Sequence, residues 1–235
     1  MNKAISTHTH KQYKYLDLIL CFGVAMMIIS NTTAAKIIPL GFLTVSVTVL
    51  YFPLTYLFGD LITEVYGYKQ ARRALWILIF AQILTASIYQ LVTVLPAVPG
   101  FVGNEAFQLV FGQAPRIVAG GLIGLFAGQI VNDFTLAKMK VSTNGKHLWL
   151  RTISSTVAGQ FFDTTLFYTI ALSNVIPSGL LLPTILSSWF MKSFVEAAMT
   201  PVTYVAVGKL KKLEDEDYFD RTTNFNPFTL EVREK

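Results

Sequence analysis

Along the chain, apolar residues come in long runs, and the charged residues collect in short stretches between them. A helix that crosses hydrocarbon needs about 20 largely apolar residues. The pattern predicts six transmembrane helices at about 16–36, 40–60, 73–95, 116–137, 150–173 and 180–208. The expected fold is therefore all-α: a polytopic membrane bundle over 16–208, a polar N-terminal segment over 1–15 and a C-terminal tail over 209–235. The first run is long and no small-residue cleavage site follows it, so it reads as a retained helix and not as a signal peptide.

Composition supports lipid as the solvent. Of 235 residues, 14% are charged and 53% hydrophobic, against roughly 25% charged in soluble domains. The net charge of +5 would suit nucleic acid, but the basic residues lie in the loops, a matter of topology, and no nucleic-acid partner is expected. One set of loops holds Lys3, Lys11, Lys14, Lys69, Arg72, Arg73, Lys138, Lys140, Lys146, Arg151, Lys209, Lys211 and Lys212; the opposite set holds Lys36 and Arg116. Since Lys and Arg near span ends stay cytoplasmic, both termini are expected in the cytoplasm.

Three local features bear on packing. Gly120, Gly124 and Gly128 recur every four residues, and Ser155 with Gly159 gives a similar narrow face; small faces let helices approach closely, so the fourth and fifth spans are expected to pack together. The stretch from Pro96 to Pro115 is rich in Pro and Gly and reads as an outer connector or a lid. The acidic run Glu214 to Asp217 reads as a solvated tail.

Polar groups inside the spans are the candidate chemistry, because a charge at the hydrocarbon centre costs about 2.5–3.5 kcal/mol and must face a partner or a cavity. Asn31 lies in the first span, and Asp60 and Glu64 share a face of the second. Gln129 and Asn132 share a face of the fourth, with Asp133 adjacent. Gln160 and Asp163 share a face of the fifth, and Lys192 and Glu196 lie in the sixth. Glu64 reads as part of an interfacial charge cluster with Lys69, Arg72 and Arg73. Asp163 is the deepest carboxylate on this map, and pairing of Lys192 with Asp163 or Glu196 would account for those charges. The pattern is that of a small-molecule transporter.

Carboxylates and amides together suit a planar ligand with adjacent N–H donors and a carbonyl acceptor. A guanine-like edge fits, as do many vitamins and amino acids. No nucleophile with an adjacent base and no cluster of metal ligands occurs, so neither a catalytic residue nor a metal or cofactor is expected. The G-x-x-x-x-G-K-[ST] loop is absent, so the chain does not hydrolyse ATP by that route.

Several motifs carry a resemblance. Ser30-Asn31 followed by Lys36, the run from Phe52 to Tyr68 around Asp60, Ala71-Arg72-Arg73, Gly128-Gln129, Asp163-Thr164, Lys192 and the tail Asn224-Phe225-Asn226-Pro227-Phe228 resemble the bacterial queuosine precursor transporter family, the YhhQ-like vitamin uptake transporter group. The resemblance implies import of 7-deazaguanine bases, chiefly 7-cyano-7-deazaguanine, across the inner membrane for queuosine modification of tRNA. It implies a six-helix fold similar to the substrate-binding subunits of energy-coupling factor transporters, and it would place Asn31, Asp60, Gln129, Gln160, Asp163 and Lys192 in or near the pocket. The residue spacing adds Asn132. A role as the substrate-binding subunit of such an ATP-driven complex stands as the alternative, and a homo-oligomer is compatible with either.

Overall fold

A computed structural model describes residues 13–33, 36–40, 43–47, 51–112, 115–172 and 178–229. Seven helices carry the fold: α1 Leu16–Thr33, α2 Phe52–Tyr66, α3 Tyr68–Val94, α4 Asn104–Phe111, α5 Pro115–Ser142, α6 Leu148–Phe167 and α7 Ser178–Glu214. A single π-helical turn, Tyr168–Leu172, extends α6.

The span expected over 40–60 is corrected. An antiparallel hairpin, β1 Ile37–Leu40 and β2 Leu43–Ser46, precedes a helix that starts only at Phe52, with register from Ile37↔Ser46 to Leu40↔Leu43. The β-branched residues Ile37, Ile38, Thr44 and Val45 favour extended backbone, and Pro53 at the head of α2 is where proline suits a helix start. The Pro96 to Pro115 connector contains α4, which has no buried residue.

The molecule is apolar outside and polar within. Phe80, Leu91, Phe190, Phe194 and Val205 are each at least 58% exposed. Buried side chains among the described residues include Asp60, Glu64, Asn132, Asp133, Lys140, Arg151, Gln160 and Glu196. Water-soluble proteins invert this arrangement; it suits a bundle whose backbone is satisfied internally in lipid. Two of the described helices, Leu16–Thr33 and Tyr68–Val94, are long and apolar enough to cross a membrane by length and composition.

At the centre lies α2, none of whose described side chains is exposed. Its apolar residues Leu57, Leu61, Ile62 and Val65 pack with Ala71 and Ala74 of α3 and Val207 and Leu210 of α7. Helices α5 and α6 meet through their small faces, as expected. A Cβ on Gly128 would lie 2.9 Å from the Gly159 carbonyl oxygen, and one on Gly159 would lie 2.7 Å from that of Gly128. Gly124 faces the backbone of Asp163, and Gly120 faces Ala171 of the π-helical turn. Backbone therefore meets backbone along the crossing, which fixes where the side chains on either flank must point.

Candidate functional site

The flanks of that crossing, together with α2, build a polar interior. Asn132 of α5 donates from Nδ2 to Oδ1 of Asp60 at 2.8 Å. One residue further, Asp133 accepts from Thr63 at 2.8 Å and from Gln129 at 2.9 Å. Gln129 lies against Gly59, where a Cβ would stand 2.5 Å from its Nε2; glycine there lets α5 bring its amide onto α2. Asp60 and Asn132 are completely buried. Among the described residues, Oδ2 of Asp60 and Oδ1 of Asn132 have no hydrogen-bond partner.

On the α6 side, Gln160 is completely buried, and among the described residues neither of its amide atoms meets hydrogen-bond geometry, although the Tyr56 hydroxyl lies near it. It faces Tyr56, which also lies within electrostatic range of Asp163, Glu196 and Asp60. Thr156 and Thr164 add buried hydroxyls without partners among the described residues on the same helix. Native proteins leave few such groups unmatched, since each costs about 1–3 kcal/mol. Those of Asp60, Asn132, Gln160, Thr156 and Thr164 give the interior between α2, α5 and α6 unused donors and acceptors of both kinds.

Asp163 and Lys192 form an ion pair at 3.0 Å, with side-chain exposures of 14% and 29%. Asp163 is therefore not the deepest carboxylate; Asp60 and Asp133 lie deeper, because the Gly124–Gly128 face holds Asp163 at the edge of α5. Asn31 is exposed and donates to Gln82 of α3 at 2.7 Å, which puts it at the α1–α3 contact beside the Thr32–Tyr89 hydroxyl pair. The structure thus brings Asp60, Gln129 and Asn132 together, sets Gln160 opposite Tyr56, and joins Asp163 to Lys192. Tyr56 and Thr63 are the residues that sequence reasoning missed. Their spacing from Asp60, four before and three after, is the signal that could have found them.

Next to this interior, between α1, α2, α3 and α5, is a cavity of about 40 Å³ lined by Met27, Tyr56, Gly59, Leu78, Gln129 and Asp133. Since a cavity that takes benzene is about 150 Å³, this conformation admits only water-sized groups.

At one pole the charges are arranged differently. Glu64, fully buried, pairs with Arg151 at 2.7 Å, Lys211 at 2.8 Å and Lys140 at 3.7 Å. Its partners are thus on α5, α6 and α7 and not Lys69, Arg72 and Arg73, because helix packing and not sequence proximity closes the end. Asp217 bridges Lys140 at 2.6 Å and Lys211 at 2.8 Å. Burial pushes the Asp217 carboxyl up, but hydrogen bonds from Lys140 and Lys211 outweigh it and hold it below its usual range.

The expectation of a solvated acidic run is corrected in part: Asp215 and Asp217 are exposed, but Glu214 is buried. Glu214 accepts from the backbone N–H groups of Lys14 and Tyr15, at the start of α1, and from Tyr66. Asp220 accepts from the N–H of Tyr68 at the start of α3; carboxylates favour helix N-termini. Arg72 donates to the carbonyls of Asn224 and Asn226, and Trp76 to that of Pro227. At the α2–α3 corner, Gly67 takes φ +82°, and a Cβ there would lie 2.3 Å from the Tyr218 ring. The Tyr-Gly-Tyr corner with Arg72 and the Asn-Phe-Asn-Pro tail are therefore two halves of one contact.

Comparison with known proteins gives a consistent family. Residues 46–206 match the model of the family described as "Putative vitamin uptake transporter". A curated relative from Bacillus subtilis (strain 168), described as "Probable queuosine precursor transporter", is 26% identical over 199 residues, which cover 84% of this chain and 86% of the relative. No solved structure matches.

Proposed function

Because the chain belongs to the vitamin uptake transporter family, and is a membrane transporter and not an enzyme, we propose that it imports a queuosine precursor, 7-cyano-7-deazaguanine or a related 7-deazaguanine base. The relative's description supports the substrate class. The observation that carries the reading is the set of unmatched polar atoms inside an apolar-coated bundle: Asp60 Oδ2, Asn132 Oδ1 and both amide atoms of Gln160. A guanine-type edge offers adjacent N–H donors and one carbonyl. Asp60 and Asn132 accept from the N–H groups and Gln160 donates to the carbonyl, while Gln129 holds Asp133 in place. The Asp163–Lys192 pair forms the α6–α7 wall, and Asn31 with Gln82 forms the outward mouth.

In this reading the bundle crosses the inner membrane six times with both termini cytoplasmic. The 15 residues of α2 reach only about 22 Å at 1.5 Å per residue, short of a bilayer core of about 30 Å. The hairpin completes that crossing, an irregular stretch tolerated where protein surrounds it. The small cavity belongs to a closed form, so the helices around α2 must part to admit a base.

The test is uptake of radiolabelled 7-cyano-7-deazaguanine by cells that express the chain and lack any energising ATPase subunit, with adenine as competitor. Saturable uptake that adenine does not inhibit is expected. Uptake that requires an ATP-driven partner would favour the substrate-binding-subunit alternative, and absence of uptake under both conditions would sink the reading.

A further inference from the structure

Three carboxylates inside the bundle, Asp60, Asp133 and Glu196, have no cation among the described residues, although each is at most 5% exposed. Asp133 is held by two hydrogen-bond donors. Asp60 has one donor, and its second oxygen, fully buried, has none. Glu196 closes neither an ion pair nor a side-chain hydrogen bond among the described residues, and its charged neighbour is Asp60 across the α2–α7 contact.

Among the described residues no other counter-charge pairs with them. Asp60 has Asn132 of α5 as its hydrogen-bond donor, with Glu64 of α2 and Asp133 of α5 within electrostatic range; Tyr56 of α2 lies within electrostatic range of Asp60, Glu196 and Asp163 of α6. Lys192, one turn before Glu196 on α7, is engaged by Asp163. Two carboxylates in a dry interior cannot both carry charge without a large desolvation cost. A single proton, the smallest cation and the one that needs no coordination shell, leaves the pair one charge in place of two and lowers that cost.

The local backbone suits a site that changes state. Pro201 lies inside α7 and has no N–H to give to the carbonyl of Ala197, which loosens the turn next to Glu196. Asn132 bonds one oxygen of Asp60, and its own Oδ1 has no partner among the described residues.

We propose that the Asp60–Glu196 pair is a proton site that couples substrate import to the proton gradient, with Glu196 as the carrier. This rests on the transport reading above. A proton from the outer water binds the pair and leaves it one negative charge instead of two, the interior closes around the base, and the proton leaves to the cytoplasm when the inner side opens. One proton crosses with each base, and no bond other than O–H is made or broken.

The experiment uses the full chain in vesicles of phosphatidylethanolamine and phosphatidylglycerol, with labelled 7-cyano-7-deazaguanine and the membrane potential clamped. A pH gradient of one unit, acid outside, should accumulate the base about tenfold, the factor one proton provides at that gradient. Glu196→Gln should abolish accumulation yet retain exchange of labelled for unlabelled base within about twofold of the parent, while Glu196→Asp should keep accumulation. Exchange without any response to the pH gradient would overturn the proton site and leave the transport reading intact. Accumulation driven by a sodium gradient instead, or tenfold accumulation by Glu196→Gln, would overturn it equally. Absence of both binding and exchange of deazaguanines would take down the transport reading and this proposal with it. If Glu196→Gln does not fold, the gradient response of the unaltered protein still decides whether a proton couples.

Discussion

Two buried polar regions of this bundle obey opposite rules. At the pole around Glu64, three cations meet two carboxylates, and the starts of α1 and α3 are tied in by Glu214 and Asp220. In the interior around Asp60, among the described residues, the carboxylates Asp60 and Asp133 stand without cations, and Asp60 Oδ2, Asn132 Oδ1 and the Gln160 amide have no hydrogen-bond partner. The same dry surroundings make a matched charge rigid and an unmatched one receptive. The charges of the pole are matched, though Glu64 Oε2 and Arg151 Nε have no hydrogen-bond partner among the described residues, and matched charges specify one arrangement; carboxylates without cations retain free energy that a ligand or a proton can release.

Substitution is the direct way to break this contrast. Glu64→Gln should strand Lys140, Arg151 and Lys211 and cost about 3–5 kcal/mol, the usual result of removing one partner from a buried pair. A large fall in Tm in detergent is expected, with little folded protein in membranes. Asp60→Asn removes a carboxylate that has no cation, so Tm should hold or rise while 7-cyano-7-deazaguanine binding weakens by about 1–3 kcal/mol. If Asp60→Asn melts like Glu64→Gln, the two regions do not differ in kind.

The α5–α6 crossing, on which the interior depends, comes next in expected size. Gly159→Ala places a methyl 2.7 Å from the Gly128 carbonyl oxygen, and overpacking of this sort costs about 1–3 kcal/mol. Both Tm and uptake should fall, whereas Gly121→Ala, with open space around its Cβ, should leave both unchanged.

Lys192→Met sharpens the boundary between the regions, because it unpairs Asp163 at the α6–α7 wall. Uptake should be lost, while Lys209→Met, at an exposed position, should transport almost normally. Equal, mild effects would show that Lys192 only reaches toward the interface.

The smallest effect is on acid stability at the pole. Asp217 is held below its ordinary range in the folded chain, so its contribution is present above the usual carboxylate pKa of about 4. That contribution is lost as pH falls through the lower folded value. Melting curves of the parent and Asp217→Asn should differ at neutral pH and converge in acid; a constant difference would dismiss the linkage.

How much of this was legible beforehand depends on the distance over which each feature acts. The apolar runs, the clustering of Lys and Arg, the Gly120–Gly124–Gly128 face and the inventory of intramembrane polar groups all follow from local spacing, and residue identity alone determined them. The family likewise followed from motifs that are contiguous in the chain. Tertiary structure decided which polar group meets which. The partner of Asp60 is 72 residues away, that of Glu64 is 87 away on α6, and Arg72 reaches carbonyls 152 and 154 residues on. No periodicity encodes such pairings, because they arise where helix faces cross. Two local readings failed for the same reason. The acidic run looked solvated until the α1 and α3 N-termini were brought to it, and the 40–60 span looked helical until β-branched residues and Pro53 were weighed in a setting where α2 is enclosed by its neighbours. Burial and matching of charge are properties of the assembled bundle, and they alone distinguish the rigid pole from the receptive interior.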